Sequence, residues 1–163
     1  MRPDELEKQL RERREGSVTY SPEGSLVAYN PILGSSANAN GTLFVAAADG
    51  SHPREVFGDG SGSPVWSPTG DRFVFPSGNG TESELRMLDL ATGTVTLLVE
   101  TDGSDMLGVL DFSPEGQRIL FTRTEDGGKG VSSLWSVHAD GSNPRRLVTG
   151  TGWGDWLSPS QTR

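Results

Sequence analysis

Cysteine is missing from all 163 residues, which excludes a disulfide framework, a thiolate metal centre and a cysteine nucleophile, and leaves the redox compartment undetermined. Histidine is nearly as scarce. The two present, His52 and His138, stand apart and outside the H-E-x-x-H spacing of a zincin. No stretch reaches the roughly 18 apolar residues of a membrane span, and the first 16 residues carry no apolar signal-peptide core. The expectation is a cytoplasmic chain without membrane contact, or a periplasmic or secreted one if it is the processed part of a longer parent.

Basic charge is also in short supply, with 14 Lys and Arg against 22 Asp and Glu, a net charge of -8. Residues 1–15 are balanced: Arg2, Lys8, Arg11, Arg13 and Arg14 face Asp4, Glu5, Glu7, Glu12 and Glu15, so the excess belongs to the remainder. An acidic body repels phosphate backbones, because binding them requires a basic footprint that releases counterions. Nucleic acid is therefore not an expected partner.

What the chain does have is a repeat. Ser-Pro recurs at Ser21, Ser67, Ser113 and Ser158, and the first three copies read Ser-Pro-x-Gly. Tyr20, Trp66 and Phe112 precede the serine, with Leu157 in the fourth copy. After each of the first three serines come Val27 and Tyr29, Phe73 and Phe75, Ile119 and Phe121. Apolar residues two apart share one face of a strand, so the pairs mark a buried face repeated three times. Third strands start near Thr42, Glu84 and Ser133, and fourth strands near Arg54, Thr94 and Arg145. Four short strands per repeat, joined by turns rich in Gly, Pro, Asp and Ser, predict an antiparallel meander, the unit of a propeller blade. The fold class is all-β: three four-stranded blades plus the first strand of a fourth.

The aromatic-Ser-Pro-x-Gly turn, the following apolar pair, and ADGSNPRRLV from Ala139, echoed by ADGSHPREVF from Ala48, resemble the TolB-like propeller repeat over about residues 17–159. The resemblance implies fold more than function, since such propellers range from periplasmic interaction scaffolds to domains of peptidases and lyases. It also implies a closed ring, usually of six blades. Three blades form an open arc whose two end faces would be bare, a surface soluble monomers avoid. Two chains joined around a two-fold axis would complete six; alternatively, the chain is part of a longer propeller, as the extra strand from Trp153 to Pro159 suggests. A third completion caps one end with residues 1–16, where Asp4 to Glu15 suits a short helix presenting Leu6 and Leu10. Trp153 and Trp156, flanking Asp155 on the extra strand, are expected at a subunit interface with Leu6 and Leu10. Residues 160–163 are a tail.

Catalytic patterns are missing. DGSGS from Asp59 has the composition of a nucleophile elbow without its spacing, and the glycines around Lys129 lack the G-K-[ST] of a phosphate loop. Asp59 and Asp105 each precede their Ser-Pro by eight residues, but without the ligand order of a calcium loop they read as turn residues. No metal, no cofactor and no catalytic residue is assigned. Trp66 and Trp135 are expected in the core, and His138 facing solvent. In a meander the Ser-Pro-x-Gly and ADGS turns share one rim, leaving variable loops on the other. Binding residues concentrate on loops held by a rigid scaffold, so Asn38, Asn40, Asp59, Asp102, Asp105 and Asp155 are the candidate rim. The expected role is a noncatalytic scaffold for a protein partner, dimeric through its half-propellers; the alternative is a lyase or hydrolase domain with a small ligand in the central channel.

Overall fold

Alternating apolar residues bounded by turn formers favour strands, and a computed structural model, which describes residues 16–31, 41–58, 62–78, 82–101 and 103–150, folds the repeats accordingly. Blade 1 consists of β1 (Gly16–Tyr20), β2 (Leu26–Pro31), β3 (Leu43–Ala47) and β4 (Arg54–Phe57). Blade 2 consists of β5 (Val65–Trp66), β6 (Arg72–Gly78), β7 (Ser83–Asp89) and β8 (Val95–Glu100). Blade 3 is built from β9 (Met106–Phe112), β10 (Arg118–Thr124), β11 (Ser132–His138) and β12 (Arg145–Thr149). In every sheet the strands lie in chain order and run antiparallel. The expected meander is thus present three times. The N-terminal helix, the extra strand and tail, and Leu6, Leu10, Trp153 and Trp156 lie outside the described residues; Gly16, the last residue of the expected N-terminal segment, opens β1.

The Ser-Pro-x-Gly turn explains its own sequence. The glycine NH donates to the serine carbonyl at 2.8 Å in blade 1, 3.0 Å in blade 2 and 2.7 Å in blade 3. Gly24, Gly70 and Gly116 have φ values of 71°, 70° and 70°, the left-handed region that side chains with a Cβ avoid. Each serine hydroxyl accepts the NH five residues on, from Leu26 at 3.0 Å, Arg72 at 3.4 Å and Arg118 at 3.0 Å. Serine is therefore a structural residue here, and its hydroxyl is committed.

The ADGS turn lies on the same rim and is tied to it. Ala48 donates its NH to Ser25 O at 2.9 Å, Leu90 to Asp71 O at 3.0 Å, and Ala139 to Gln117 O at 2.9 Å. One backbone bond per blade thus pins the two hairpins of that rim together. Between the third and fourth strands all three blades slip by one residue, leaving Val56, Leu98 and Leu147 as bulges. Bulges bend and twist a strand locally, and a bend at the same place in each blade keeps the outer strands alike.

Each blade presents a leading face to its predecessor and a trailing face to its successor. The apolar pair of β6, Phe73 and Phe75, lies on the leading face and packs with Ala28, Leu43 and Val45 from the trailing face of blade 1. Ile119 and Phe121 of β10 pack in the same way on Val74, Leu85 and Leu98 of blade 2. Among the described residues the core is accordingly two seams between blades and a smaller cluster within blade 1. Val27, Tyr29 and Ala46, the counterparts in blade 1, are buried around Phe44, with Tyr29 stacked on it at 5.5 Å.

Candidate functional site

On the rim opposite the Ser-Pro-x-Gly turns, a groove of about 350 Å³ runs between blades 2 and 3. Pro76, Ser77 and Ser83 form one side, and Asp105, Met106 and Leu107 the other. Its floor is held by short polar contacts. Ser83 Oγ accepts the Leu107 NH at 2.9 Å, and Thr101 Oγ1 accepts the Ser83 NH at 3.2 Å, so the seam is stitched across blades. The turn Glu125–Gly128 that follows β10 takes left-handed conformations at Asp126 and Gly127, and Gly127 donates its NH to Ser104 O at 2.7 Å. That bond fastens one variable loop to the next.

Of the six rim residues expected from sequence, Asp105 is described, and it lies in the groove wall; Asn38, Asn40, Asp59, Asp102 and Asp155 lie outside the described residues. Asp105 is engaged rather than free: its Oδ2 accepts Arg123 Nε at 2.7 Å, and the guanidinium lies over the Trp135 ring at 5.9 Å. A parallel arrangement occupies the seam between blades 1 and 2. Glu84 Oε2 accepts Arg86 Nε at 2.6 Å and Ser77 Oγ at 3.1 Å, while Arg86 lies 5.5 Å over Phe57. Arg86, Arg123 and Glu84 were not legible as site residues. One signal did exist: Arg86 stands where blades 1 and 3 have the aromatics Phe44 and Trp135. Trp135, expected in the core, is half-buried with its Nε1 unpaired, and His138, expected in solvent, is half-buried as well. Trp66 is buried as expected.

The Arg86 guanidinium, helped by the Ser77 hydroxyl and opposed by partial burial, holds the Glu84 carboxyl below its ordinary value. On the other rim, the hydroxyls of Thr69 and then Ser67 lower Asp71 in the same sense. A depressed folded-state pKa contributes stability that is present above the unfolded value and lost as pH falls through the folded one. Urea midpoints are therefore expected to hold steady from neutral pH down to about 5 and to fall below about 4.5, the ordinary carboxylate range. Glu84→Gln with Asp71→Asn should lower the midpoint at pH 7 and narrow its gap to the wild type in acid. A gap independent of pH would contradict this.

Among the described residues, no group of three or more His, Cys, Asp or Glu could hold a metal ion, and no helix is long and apolar enough to cross a membrane. No protein-family model matches the chain. An uncharacterized protein of Agrobacterium fabrum is 28% identical over 144 residues, spanning 86% of this chain and 46% of that protein. A solved TolB-type structure from Agrobacterium tumefaciens is 25% identical with a TM-score of 0.67, over 82% of this chain and 46% of its own. TolB from Acinetobacter baumannii is 21% identical with a TM-score of 0.56, over 84% of this chain and 31% of its own. The chain thus spans about half the length, or less, of the proteins it matches. With three four-stranded meanders packed in series, and TolB and other β-propeller proteins as the chain's structural neighbours over most of its length, the described residues form three blades of a β-propeller.

Proposed function

We propose that the chain is a noncatalytic propeller scaffold whose variable rim docks a protein partner. The observation that carries this reading is the rim between blades 2 and 3. Its groove is walled mostly by apolar and small polar side chains, and of the two described carboxylates that line it, Glu82 and Asp105, the latter is paired with Arg123, whose guanidinium lies over the Trp135 ring. Arginine and aromatic residues held rigidly in place are typical anchors of protein interfaces. A free acid and base pair would favour chemistry instead. The net charge of -8 favours partners with basic segments, through steering more than through affinity. The TolB resemblance sides with a periplasmic location over a cytoplasmic one.

Selection from a random displayed-peptide library tests the reading. The wild type is expected to enrich peptides bearing Lys or Arg. Met106→Arg, which places bulk and charge in the groove, should abolish the enrichment, whereas Glu115→Lys on the opposite rim should leave it. Turnover of a chromogenic ester or peptide substrate that disappears in Glu84→Gln or Asp105→Asn would transfer the case to the lyase or hydrolase domain reading.

A further inference from the structure

We propose that blades 1 and 3 carry complementary docking parts, so that two copies join head to tail, blade 3 of each chain receiving blade 1 of the other, in a closed ring of six. The proposal rests on the scaffold reading, for which a complete ring is the rigid support, and the two internal seams supply its rule.

At the first seam, Trp66 of blade 2 donates its Nε1 to Thr19 O at 3.2 Å and Thr19 Oγ1 at 3.1 Å, and Gly70 sits against the Glu23 carboxylate of the preceding turn. At the second seam Phe112 takes the place of Trp66, and Val65 that of Thr19. A Cβ on Gly116 would lie 3.6 Å from Pro68 and 3.7 Å from Arg72, whose Nη2 donates to Gly116 O at 3.3 Å. In both seams the incoming blade supplies the aromatic before the serine and the glycine of the turn. The receiving blade supplies the last-but-one residue of its first strand and, at the second seam, the arginine that begins its second strand.

Each of these parts has a counterpart in blade 1 or blade 3. In blade 1, Tyr20 is 55% exposed, against 8% for Trp66 and 6% for Phe112. Gly24 is exposed with nothing within 4 Å of its Cβ position, whereas Gly70 and Gly116 are buried. In blade 3, Arg118 is the counterpart of Arg72, and its Nη1 is buried without a partner. Asp111, the counterpart of Thr19, is exposed. Leu147 is 41% exposed where Leu98 is 7%, and Leu120 and Leu134 are half-buried where Val74 and Leu85 are fully buried.

Carrying the seam rule across the ends pairs the Tyr20 hydroxyl of one copy with the Asp111 carboxylate of the other. It also gives the Arg118 guanidinium the Gly24 carbonyl as its acceptor. Donor meets acceptor in both cases, and an arbitrary apolar partner would satisfy neither. Because Val27, Tyr29 and Ala46 are already buried, the junction engages the inner strand and the Ser-Pro-x-Gly turn of blade 1. The contact is between different patches on the two copies, and such contacts either close into a ring or run on as a filament.

A cysteine-free chain makes the test direct. Wild-type protein at tens of micromolar should show about twice the 17.4 kDa chain mass by light scattering. Tyr20→Cys and Asp111→Cys, mixed and treated with a short bismaleimide, should give a two-chain product that neither variant yields alone, and the double variant should stop at two chains. Arg118→Met should weaken association roughly tenfold, the effect of losing one charged hydrogen bond, without altering the circular dichroism. A folded protein of single-chain mass, a Tyr20→Cys product formed with itself, or a ladder beyond two chains would each overturn the closed head-to-tail pair. A monomer sinks this pairing while leaving the rim to its peptide test; a dimer that enriches no peptide does the reverse.

Discussion

Phe75→Ala is expected to destabilise the protein by about 3–5 kcal/mol, the range for deleting a fully buried aromatic side chain. Phe75 is fully buried and its ring lies 5.0 Å from Phe57 and 6.0 Å from Phe73, so no neighbour can collapse into the space without breaking another contact of the seam. A loss of that size is comparable to the whole stability of many domains. The measurement is the urea midpoint at constant slope. Leu97→Ala, at an exposed position of β8, is the control and should move the midpoint by no more than about 0.5 kcal/mol. Similar losses at the two positions would mean that the seam between blades 1 and 2 is not where the core lies.

Trp66→Ala should cost a similar amount, but its signature is local. The indole joins two sheets: its ring packs edge-on against Phe73 at 5.1 Å, and its NH reaches Thr19 in the blade before. Removing it cuts the side-chain tie on the inner strand of blade 1, so amide exchange in β1 and β2 should accelerate more than in β10 and β11. Trp66→Phe separates the contributions. Blade 3 carries a buried phenylalanine at this position, so the ring alone is a sufficient filler, and the loss should fall to about 1 kcal/mol, the net value of the hydrogen bonding. Uniform acceleration across all three blades would show that the sheets open together and not one from the other.

The amino-acid sequence carried the strands and the buried pairs because a period of two is written into each strand by the backbone itself. Ser-Pro-x-Gly was legible for the same local reason: proline, a left-handed glycine and a committed serine hydroxyl act within five residues. What it did not carry crosses between repeats. Glu84, Arg86 and Ser77 form one network, yet nothing local says that Arg86 will lie over Phe57 of another blade. Asp105 could be placed on the correct rim from topology, but its pairing with Arg123 depends on how far β9 and β10 run side by side. The left-handed φ of the turn glycines is a local requirement. Their second task, letting the preceding turn approach closely, shows in the contacts of Gly70 and Gly116 and in the empty surroundings of Gly24.

Strand order that follows chain order within every sheet has a kinetic consequence. Each strand pairs with one just before or after it in the sequence, so the ordering entropy of closing a loop stays small and hairpins can form one after another. During synthesis a blade can assemble as soon as its last strand leaves the ribosome, well before the next has been made. Its trailing face then waits uncovered for the length of one repeat. The nascent chain is most exposed to misassociation in those intervals, and the Ser-Pro-x-Gly hairpin, the earliest local structure of each repeat, shortens them.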